Sequence, residues 1–379
     1  MPFAQAAEHL AFFWGVRLDA ATVRRQAEAA GAAYVEIQAA EVERLEREAP
    51  EPPAGPAAQQ VSADGAMIPL VGGKWAEART VGIGTLAAAP GAGGASGGEA
   101  RATDLSYFSR LADHATFIRL AHVEFHQRGT ETAGVVVGVM DGADWLQKLL
   151  DRYRPDAARV LDFPHAVEHL ADAAQASFGA GSDAAAAWLA EQARALKRDP
   201  PGGVLAALRA LPTALAADPA AAAKARDETL GYLEKRRDQI RYAEFLERGY
   251  PIGSGLAESA NKLVVAARLK GSGMHWAPEH VNPLLALRNI ACADRWAEAW
   301  PLICRRLRAD AQARRAARRQ RRRDRPPPPA APPAAPTPPR PARPAAPPPR
   351  AKLVVAGRPT AAHPWKRPFR AGGRTPAAS

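Results

Sequence analysis

The sequence predicts an α/β fold in which a mixed sheet is flanked by helices. Apolar, β-branched runs such as GVVVGVM are typical of buried strands, and they alternate with amphipathic segments of helical period. Residues 165–248 then become almost wholly helical, and residues 305–379 are rich first in Arg and then in Pro. We therefore expect an α/β core, an all-helical insertion and a disordered basic tail, because such a tail cannot build a packed core.

The alternating stretch gives the order of the predicted elements. VSAD, AMIPLVG and EARTVGIGTL predict three strands of an antiparallel meander, and GAGGASGGEA predicts a flexible loop. YFSRLADHATFIRLAHVEFHQR predicts one amphipathic helix with Phe108, Leu111 and Ile118 near one face. A buried parallel strand at GVVVGVM, a short helix around Trp145 and a strand at ARVLDF complete the order β-β-β-α-β-α-β. This is the order of a ribonuclease-H-like core, in which the first and fourth strands are neighbours.

Composition shifts predict the domain boundaries. The first segment is helical, with Asp19 as a candidate N-cap, and it fits either part of a helix-turn-helix or a helical pair packed on the main domain. The predicted parts are a helical N-terminal segment at 1–48, a Pro- and Ala-rich linker at 49–58, a ribonuclease-H-like domain at 59–304 with its helical insertion before the last helices at about 165–248, and the tail at 305–379.

The charge of the chain is unevenly distributed. The net charge is +12, but residues 305–379 hold 20 Lys or Arg and two Asp, a net of +18, which leaves −6 for the rest of the chain. This balance predicts a polyanionic partner that is attracted by local patches and by the tail.

Other features bear on the compartment. No signal peptide opens the chain, and no apolar run reaches the roughly 20 residues of a membrane helix. Cys292 and Cys304 are the only cysteines, which gives neither a disulfide framework nor a cysteine zinc site. We expect a cytoplasmic, nucleoid-associated protein without a membrane partner.

Three acidic residues occur in segments that suit a catalytic carboxylate. Asp64 and Asp141 follow apolar runs and precede Gly, which predicts that each lies where a strand ends in a turn. Glu258 follows a Gly-Ser-Gly loop at the start of a helical segment. Two carboxylates at strand ends and a third on a helix can hold a pair of Mg²⁺ ions, an arrangement that suits phosphodiester chemistry.

Each acid also has a structural alternative. Asp64 and Asp141 could cap turns, because Asp-Gly is a common turn dipeptide. Glu258 could be a first-turn acid that the helix dipole favours. Asp162, at the end of the ARVLDF strand, is the main rival carboxylate. We expect Asp162 to support the other acids without replacing one of them, together with His165, which would lean towards the site from the same strand end.

The segment from His165 to His169 spells H-x-x-E-H, an inverted zinc-protease motif. On a helix both histidines would share a face, and Glu244 or Glu247 could supply a third ligand. No other segment is typical of a metalloprotease, so we expect a structural or DNA-facing role for this motif.

Basic residues beyond Glu258 and in the tail are candidates for contacts to DNA phosphates. They are Lys262, Arg268 and Lys270 in NKLVVAARLKGSG, and Arg318, Arg319 and Arg322 in the densest Arg run. The alternatives are a solvated helix face for the first three and a merely solubilising tail for the others. Trp276 could stack on an unpaired base, although burial is the more common state of a tryptophan.

Four long segments of the chain are VSADGAMIPLVGGKWAEARTVGIG, VGVMDGADW, RVLDFPHAVEHL and YPIGSGLAESANKLVVAARLKGSGMHWAPEHVNPLLALRNIACADRW. In this order they closely resemble the ISKra-type transposases of bacterial insertion sequences. The resemblance runs from about residue 10 to residue 304 and returns in KLVVAGRPTAAHPWKRP. Members of that family tend to have a longer DNA-binding region before the first helix, so part of the end-recognition module is expected to be missing here.

The resemblance implies a ribonuclease-H-like catalytic domain with an Asp-Asp-Glu triad that uses Mg²⁺ or Mn²⁺. Carried over position by position, Asp64 is the first carboxylate, Asp141 the second and Glu258 the third. The implied function is that of a DNA transposase, which cleaves at element ends and transfers strands into target DNA as a homo-oligomer on that DNA.

Two other classes stay open at this point: a non-catalytic DNA-binding remnant of a mobile element, and a structure-selective nuclease on the same fold. The three intact acids argue against the remnant, and the helical insertion fits transposases better than compact nucleases.

Overall fold

The computed structural model describes residues 1–86, 101–214 and 216–324, and the backbone of two short strands at 354–355 and 358–359. These residues belong to two units, 1–318 and 319–379. The predicted flexible loop GAGGASGGEA lies outside the described residues.

A five-stranded mixed sheet forms the centre of the first unit. The sheet order is β3-β2-β1-β4-β5, in which β1, β2 and β3 are antiparallel while β1–β4 and β4–β5 are parallel. The strands are β1 Ala58–Pro69, β2 Trp75–Leu86, β3 Ala102–Leu111, β4 Val135–Met140 and β5 Ala158–Leu161. The prediction that the first and fourth strands are neighbours is confirmed. A mixed sheet with this order, flanked by helices, is compatible with a ribonuclease-H-like fold.

Helices surround this sheet and extend from both of its faces. They are α1 Phe3–Trp14, α2 Ala20–Glu48, α3 His114–Gln127, α4 Asp144–Tyr153, α5 Phe163–Phe178, α6 Asp183–Arg198, α7 Gly202–Arg209, α8 Pro219–Lys235, α9 Tyr242–Glu247, α10 Gly255–Ala260, a π-helix Asn261–Ala266, α11 Ala267–Leu269, α12 Pro278–Cys292 and α13 Trp296–Arg323.

Strand β4 is buried on both faces, as its continuous apolar sequence predicts. Val136 and Met140 pack with α3 and α4, whereas Val137 and Val139 pack with α5 to α9 on the opposite face. On that opposite face the other half of the sheet, β1 to β3, is covered by α10, the π-helix and α12. The helical insertion α5 to α9 and the helix α10 therefore share one face of the sheet.

Two boundaries predicted from the sequence are wrong. The chain does not turn at Asp64, because β1 continues through Asp64 and Gly65 to Pro69 while pairing with β2. The predicted helix from residue 107 begins only at His114, since Asp113 caps it there through the amide of Thr116. The residues before Asp113, including Phe108, form strand β3, where aromatic side chains fit a pleated, half-buried surface.

The N-terminal segment is a helical pair that packs on the main domain. Asp19 accepts a hydrogen bond from the amide of Thr22 and caps α2, as predicted. However, α2 runs for 29 residues, so the interpretation as two short helices of a helix-turn-helix is wrong. The side chain of Gln38 on α2 accepts a hydrogen bond from the fully buried Arg110 of β3.

The prediction of a disordered tail from residue 305 is wrong for residues 305–323, which continue α13. Arg and Ala are strong helix formers. In the first half of the helix, Ala299 and Ile303 are buried against apolar side chains of α2 and α12, which stabilises the helix. In the second unit, Val354–Val355 pairs antiparallel with Arg358–Pro359. Within the described residues, no helix is both long and apolar enough to cross a membrane.

The contact between α2 and α12 generates a stability prediction. A Cβ atom added at Gly31 would collide with the backbone carbonyl of Pro283. We expect Gly31→Ala to lower the free energy of unfolding by about 1–3 kcal/mol, because the two helix backbones must separate. Gly231→Ala in α8 is the matched control: a Cβ there meets no atom within 4 Å, so helix propensity should stabilise the protein by up to about 1 kcal/mol. Chemical denaturation measures both, and equal effects of the two variants would contradict the proposed contact.

Candidate carboxylate site

Three aspartates occupy equivalent positions along the three parallel strands: Asp64 lies within β1, and Asp141 and Asp162 directly follow β4 and β5. Paired residues of β1 and β4 are offset by 77 positions, as Ala58 and Val135 are, and Asp64 and Asp141 differ by the same number. Paired residues of β4 and β5 are offset by 21 positions, and Asp141 and Asp162 again share that offset. Extending the observed register by one to three residues therefore places these side chains on one line across the sheet, on the face that α5 and α10 cover.

Asp64 is held by two hydrogen bonds. Its Oδ1 accepts from the amide of Gly65 at 2.6 Å, and its Oδ2 accepts from Nδ2 of Asn261 at 2.8 Å. Burial raises the pKa of Asp64 above its ordinary value, and the charge of Asp141 raises it further. Glu77 on β2 adds a smaller repulsion. The two strand-borne aspartates are thus close enough to repel each other in their ionised forms.

Asp141 follows β4 directly, in the turn that leads to α4. Its Oδ1 accepts a hydrogen bond from the amide of Ala143 at 2.8 Å. The backbone of this turn is fixed by α8: Tyr232 donates from its hydroxyl to the carbonyl of Asp141, and Nη2 of Arg236 donates to the carbonyl of Gly142 at 2.7 Å. Gly142 has a φ of 85°, and a Cβ on it would meet both side chains. Only glycine fits this position.

Asp162 caps α5 and ties two loops together. Its Oδ2 accepts from the amide of His165 at 3.2 Å, and its Oδ1 accepts from the amide of Ser254, immediately before α10. Burial raises the pKa of Asp162 above its ordinary value. Because both oxygens already bond to backbone amides, Asp162 positions the segment that leads to Glu258.

Glu258 lies in the first turn of α10, with 57 % of its side chain exposed and an ion pair to Lys262 at 3.3 Å. It lines a cleft of about 640 Å³ that also contains Gln60 of β1 and Ser254. Asn261, the hydrogen-bond donor to Asp64, lies three residues after Glu258 on the same side of the helix. Here the helix becomes π-helical, a rare conformation that is frequent at functional sites.

The structure thus brings Asp64 and Asp141 together and links Asp64 to the helix of Glu258 through Asn261. The Glu258 carboxylate itself faces solvent and Lys262. Among the basic candidates, five are exposed: Lys262, Lys270, Arg318, Arg319 and Arg322.

The sixth basic candidate, Arg268, is half-buried. Its guanidinium stacks on Phe3 of α1 at 4.4 Å and on Trp276 at 5.2 Å from the ring centres. Burial lowers the pKa of Arg268 from its ordinary value, and the charge of Arg288 lowers it further. The indole Nε1 of Trp276 donates to the carbonyl of Leu269 at 3.0 Å. Both residues therefore have structural contacts that compete with the predicted contacts to DNA.

The histidines of the H-x-x-E-H segment pack against the side chain that holds the Asp141 turn. His169 stacks on Tyr232 at 4.0 Å between ring centres, and Arg236 stacks on the same ring at 3.8 Å. The ring of His165 is nearly perpendicular to the rings of His169 and Tyr232. Its Nδ1 lies 3.3 Å from Oε2 of Glu168. Burial raises the pKa of Tyr232 to about 12, which keeps its hydroxyl a donor at neutral pH.

Glu244, which could have supplied a third zinc ligand to this motif, forms an ion pair with Arg241. The predicted position of His165 near the carboxylates is compatible with its effect on Asp162, whose pKa the charge of His165 lowers slightly against the larger effect of burial.

Four residues that support the site escaped the sequence analysis: Asn261, Ser254, Tyr232 and Arg236. Asn261 had a detectable signal, because it lies one helical turn from Glu258. Tyr232 and Arg236 had none, since they lie 91 and 94 residues from their backbone partners within a helical insertion.

The arrangement concentrates oxygen ligands of like charge at one edge of a rigid sheet. Carboxylate oxygens are the ligands that Mg²⁺ and Mn²⁺ prefer. No protein-family model matches the chain, and a search of curated proteins finds no match. The chemistry of the site must therefore be argued from its own residues.

Asp64 generates a prediction about pH. Because its folded-state pKa is raised, its contribution to stability is fully present below the ordinary value of 3.8 and is lost as pH rises through the folded-state value. We expect Asp64→Asn to be more stable than the wild type at pH 7, with a margin that shrinks as pH falls towards 4. Thermal unfolding across this pH range measures the margin.

Asp238→Asn, at an exposed position in the turn after α8, is the control for the Asp64 variant and should follow the wild-type profile. Added Mg²⁺ should stabilise the wild type more than Asp64→Asn. A wild type that is more stable than Asp64→Asn at every pH without metal would contradict the raised pKa of Asp64.

Proposed function

We propose that the protein is a DNA transposase of the Asp-Asp-Glu type. The observation that carries this proposal is the register of the parallel strands, which aligns Asp64 with Asp141 on the face that α10 covers. An apolar pair would pack better at these two positions than a pair of carboxylates, because burying like charges together is unfavourable.

The sheet order supports the same proposal. A ribonuclease-H-like domain carries its first two acids on its first and fourth strands, and here these are the adjacent β1 and β4. Its third acid lies on a later helix that packs on the sheet, as α10 does through Leu256 against Gly82. The resemblance of the motifs to ISKra-type transposases assigns the same three residues.

The donor set fits a divalent metal such as Mg²⁺ or Mn²⁺. Asp64, Asp141 and Glu258 offer only oxygen atoms. Burial and, to a smaller extent, the charge of Asp141 raise the pKa of Asp64, and a bound cation would offset both effects by favouring the ionised carboxylate. Asp64 and Asp141 would hold the metal. Glu258 would join them when its exposed ion pair with Lys262 opens, which is inexpensive because such surface pairs are worth about 0–1 kcal/mol.

The protein residues position the reaction. When bound, the divalent metal would activate the attacking oxygen and neutralise charge at the phosphorus. Asn261 fixes the orientation of Asp64, and Tyr232 and Arg236 fix the turn of Asp141, so neither carboxylate has to reorganise.

Two steps follow at the phosphodiester. Water first attacks at the element end, which breaks the P–O3′ bond and frees a 3′-OH. That hydroxyl then attacks target DNA, exchanges one phosphodiester for another and releases the target 3′-OH. No nucleotide cofactor is consumed.

DNA is the proposed partner, both as element ends and as target, with the protein acting as a homo-oligomer because an element has two ends to be joined. Lys262 and Lys270 lie beyond Glu258 and are exposed, so they suit phosphates that pass the cleft. The last turns of α13 expose Arg318, Arg319 and Arg322 for non-specific contact. We no longer assign Arg268 a phosphate contact, because its guanidinium stacks on two aromatic rings.

Cleavage by variants tests the proposal. With plasmid DNA that carries the native flanks of the gene, we expect Mg²⁺- or Mn²⁺-dependent nicking and strand transfer by the wild type. Asp141→Asn and Glu258→Gln should each lose at least about a thousandfold in rate, roughly 4 kcal/mol of transition-state stabilisation, while still binding the DNA. The double variant should be little worse than either one, since the acids act as a unit.

Two further variants sharpen this test. Asp144→Asn, three residues beyond Asp141 and exposed, is the matched control and should cleave like the wild type. Asp162→Asn should keep measurable activity. If Asp162→Asn abolished cleavage while Glu258→Gln preserved it, Asp162 would be the third carboxylate. Full cleavage in EDTA would refute the metal-dependent reaction, and cleavage without joining would indicate a nuclease.

The Arg residues of α13 generate a separate prediction about binding. Replacing Arg318, Arg319 and Arg322 by Gln should weaken non-specific DNA binding and flatten the plot of log affinity against log salt by about 0.9 for each lost phosphate contact. The control variant replaces the exposed Arg198, Arg209 and Lys224 of the insertion by Gln, which removes the same charge. Its plot of log affinity against log salt should stay steeper than that of the α13 variant. Equal slopes for the two triple variants would show that α13 makes no specific contribution.

A further inference from the structure

A second group of ligand-type side chains lies where α3 ends. His122 and His126 are one turn apart on α3, and Glu131 belongs to the 3₁₀ turn Thr130–Thr132 that follows it. Oε1 of Glu131 lies 3.4 Å from Nε2 of His122 and 3.5 Å from Nδ1 of His126. Within the part of the chain that the structure describes, no other three His, Cys, Asp or Glu side chains bring their ligand atoms within 4.8 Å of one another.

These distances fit a metal site better than direct ion pairs. Hydrogen bonds between a charged nitrogen and a carboxylate are typically about 2.7–2.9 Å long. Zinc binds nitrogen and carboxylate oxygen at about 2.0–2.2 Å in tetrahedral geometry, which sets neighbouring ligand atoms roughly 3.3–3.5 Å apart. The separations of Glu131 from the two histidines match that tetrahedral edge.

The cluster also contains polar atoms that its neighbours do not satisfy. Oε2 of Glu131 and Nδ1 of His122 are buried and find no hydrogen-bond partner among the described residues. The side chains of His122, His126 and Glu131 are only 19 %, 14 % and 21 % exposed. A buried carboxylate oxygen without a partner is unfavourable, and a cation bound at this carboxylate would offset part of that cost.

The ring of His122 and the turn that carries Glu131 are held in place before any ligand arrives. The ring of His122 stacks on Tyr153 at 5.3 Å, and the hydroxyl of Tyr153 donates to the carbonyl of Ile118 at 2.6 Å. Next to Glu131, the hydroxyl of Thr132 accepts from the amide of Gly55 at 2.8 Å. A site assembled on packed elements needs little reorganisation to bind a metal.

There is also room beside the cluster. A cavity of about 170 Å³ is lined by the cluster and by four residues from the end of α2 and the segment after it: Leu45, Ala49, Pro50 and Pro52. This space leaves a fourth coordination position for water. The cavity lies before β4 in the chain, whereas Asp141 follows β4, so the two sites are at opposite ends of this strand.

We propose that His122, His126 and Glu131 bind one Zn²⁺ ion that fastens the last turns of α3 to the 3₁₀ turn Thr130–Thr132, beside the end of α2. Two imidazoles and one carboxylate suit zinc, whereas the all-carboxylate set at Asp64 suits Mg²⁺. The i, i+4 spacing of the two histidines presents them on one face of α3. This site is independent of the proposed transposase chemistry.

Zinc titration of the tag-free full-length chain, treated first with chelator, tests the site. The wild type should bind about one Zn²⁺ per chain in equilibrium dialysis, and its Tm should rise by roughly 5 °C at zinc concentrations about a hundredfold above Kd. His126→Ala and Glu131→Gln should lose both effects. His114→Ala, at the exposed start of the same helix, should keep both, and so should Asp64→Asn.

The double variant His165→Ala with His169→Ala separates this site from the H-x-x-E-H segment and should bind zinc like the wild type. Co²⁺ added to the wild type should give the visible absorption of tetrahedral coordination, and Glu131→Gln, which keeps the side-chain size, should abolish it. This spectrum decides the question even if the histidine variants do not fold. Absence of zinc binding by the wild type, or zinc binding that survives both Glu131→Gln and His126→Ala, would overturn the proposal.

Discussion

The parallel pairing of β1 with β4 is the constraint on which the rest of this protein depends. It joins two segments 77 residues apart and fixes the register that aligns Asp64 with Asp141. A slip of one residue would turn one aspartate to the other face of the sheet. Strand β4 is buried on both faces, with Val137 and Val139 under the insertion and Val136 and Met140 under α3 and α4. The same interactions that hold the core therefore hold the proposed catalytic pair.

The helical insertion contributes to the site as well as to the core. Tyr232 of α8 and Arg236, the residue after α8, donate hydrogen bonds to the carbonyls of Asp141 and Gly142. The stack of Arg236, Tyr232 and His169 fixes the orientation of these two donor side chains. A turn that carries a charged side chain beside a like charge would otherwise relax away from it. The insertion opposes that relaxation, so the repulsion between the two aspartates is retained in the folded protein, where it adds to the larger effect of burial in raising the pKa of Asp64. Such retained repulsion is typical of sites whose charge a ligand later neutralises.

The sequence predicted the buried strand GVVVGVM and the cap at Asp19 because both have strong local signals. It counted three strands before the first helix only by dividing β1 into VSAD and AMIPLVG and by assigning most of β3 to a helix. It placed the end of the first strand wrongly at Asp64, since Asp-Gly is typical of turns and only pairing with β2 overrides that preference. It also began helix α3 too early, so that the helix included Phe108. The apolar residues of this segment fit the period of a helix as well as the alternation of a strand. The three aspartates could be named from their local sequences, but the alignment of Asp162 with the other two depends on register, which no local pattern encodes. Tyr232 and Arg236 were beyond reach for the same reason.

The third acid differs from the strand-borne pair in how it is held. Asp64 and Asp141 are fixed by a sheet, whereas Glu258 lies on a six-residue helix that continues as a π-helix and is paired with Lys262. Asn261 connects the two arrangements, since it lies on the helix of Glu258 and bonds to Asp64. A rotation of α10 that brought Glu258 to the aspartates would open its ion pair with Lys262. Because DNA phosphates attract Lys262 and a divalent metal attracts Glu258, substrate and metal would each favour the same rotation. The proposed triad would then be completed only when both are present, which restricts phosphodiester cleavage to the bound element end.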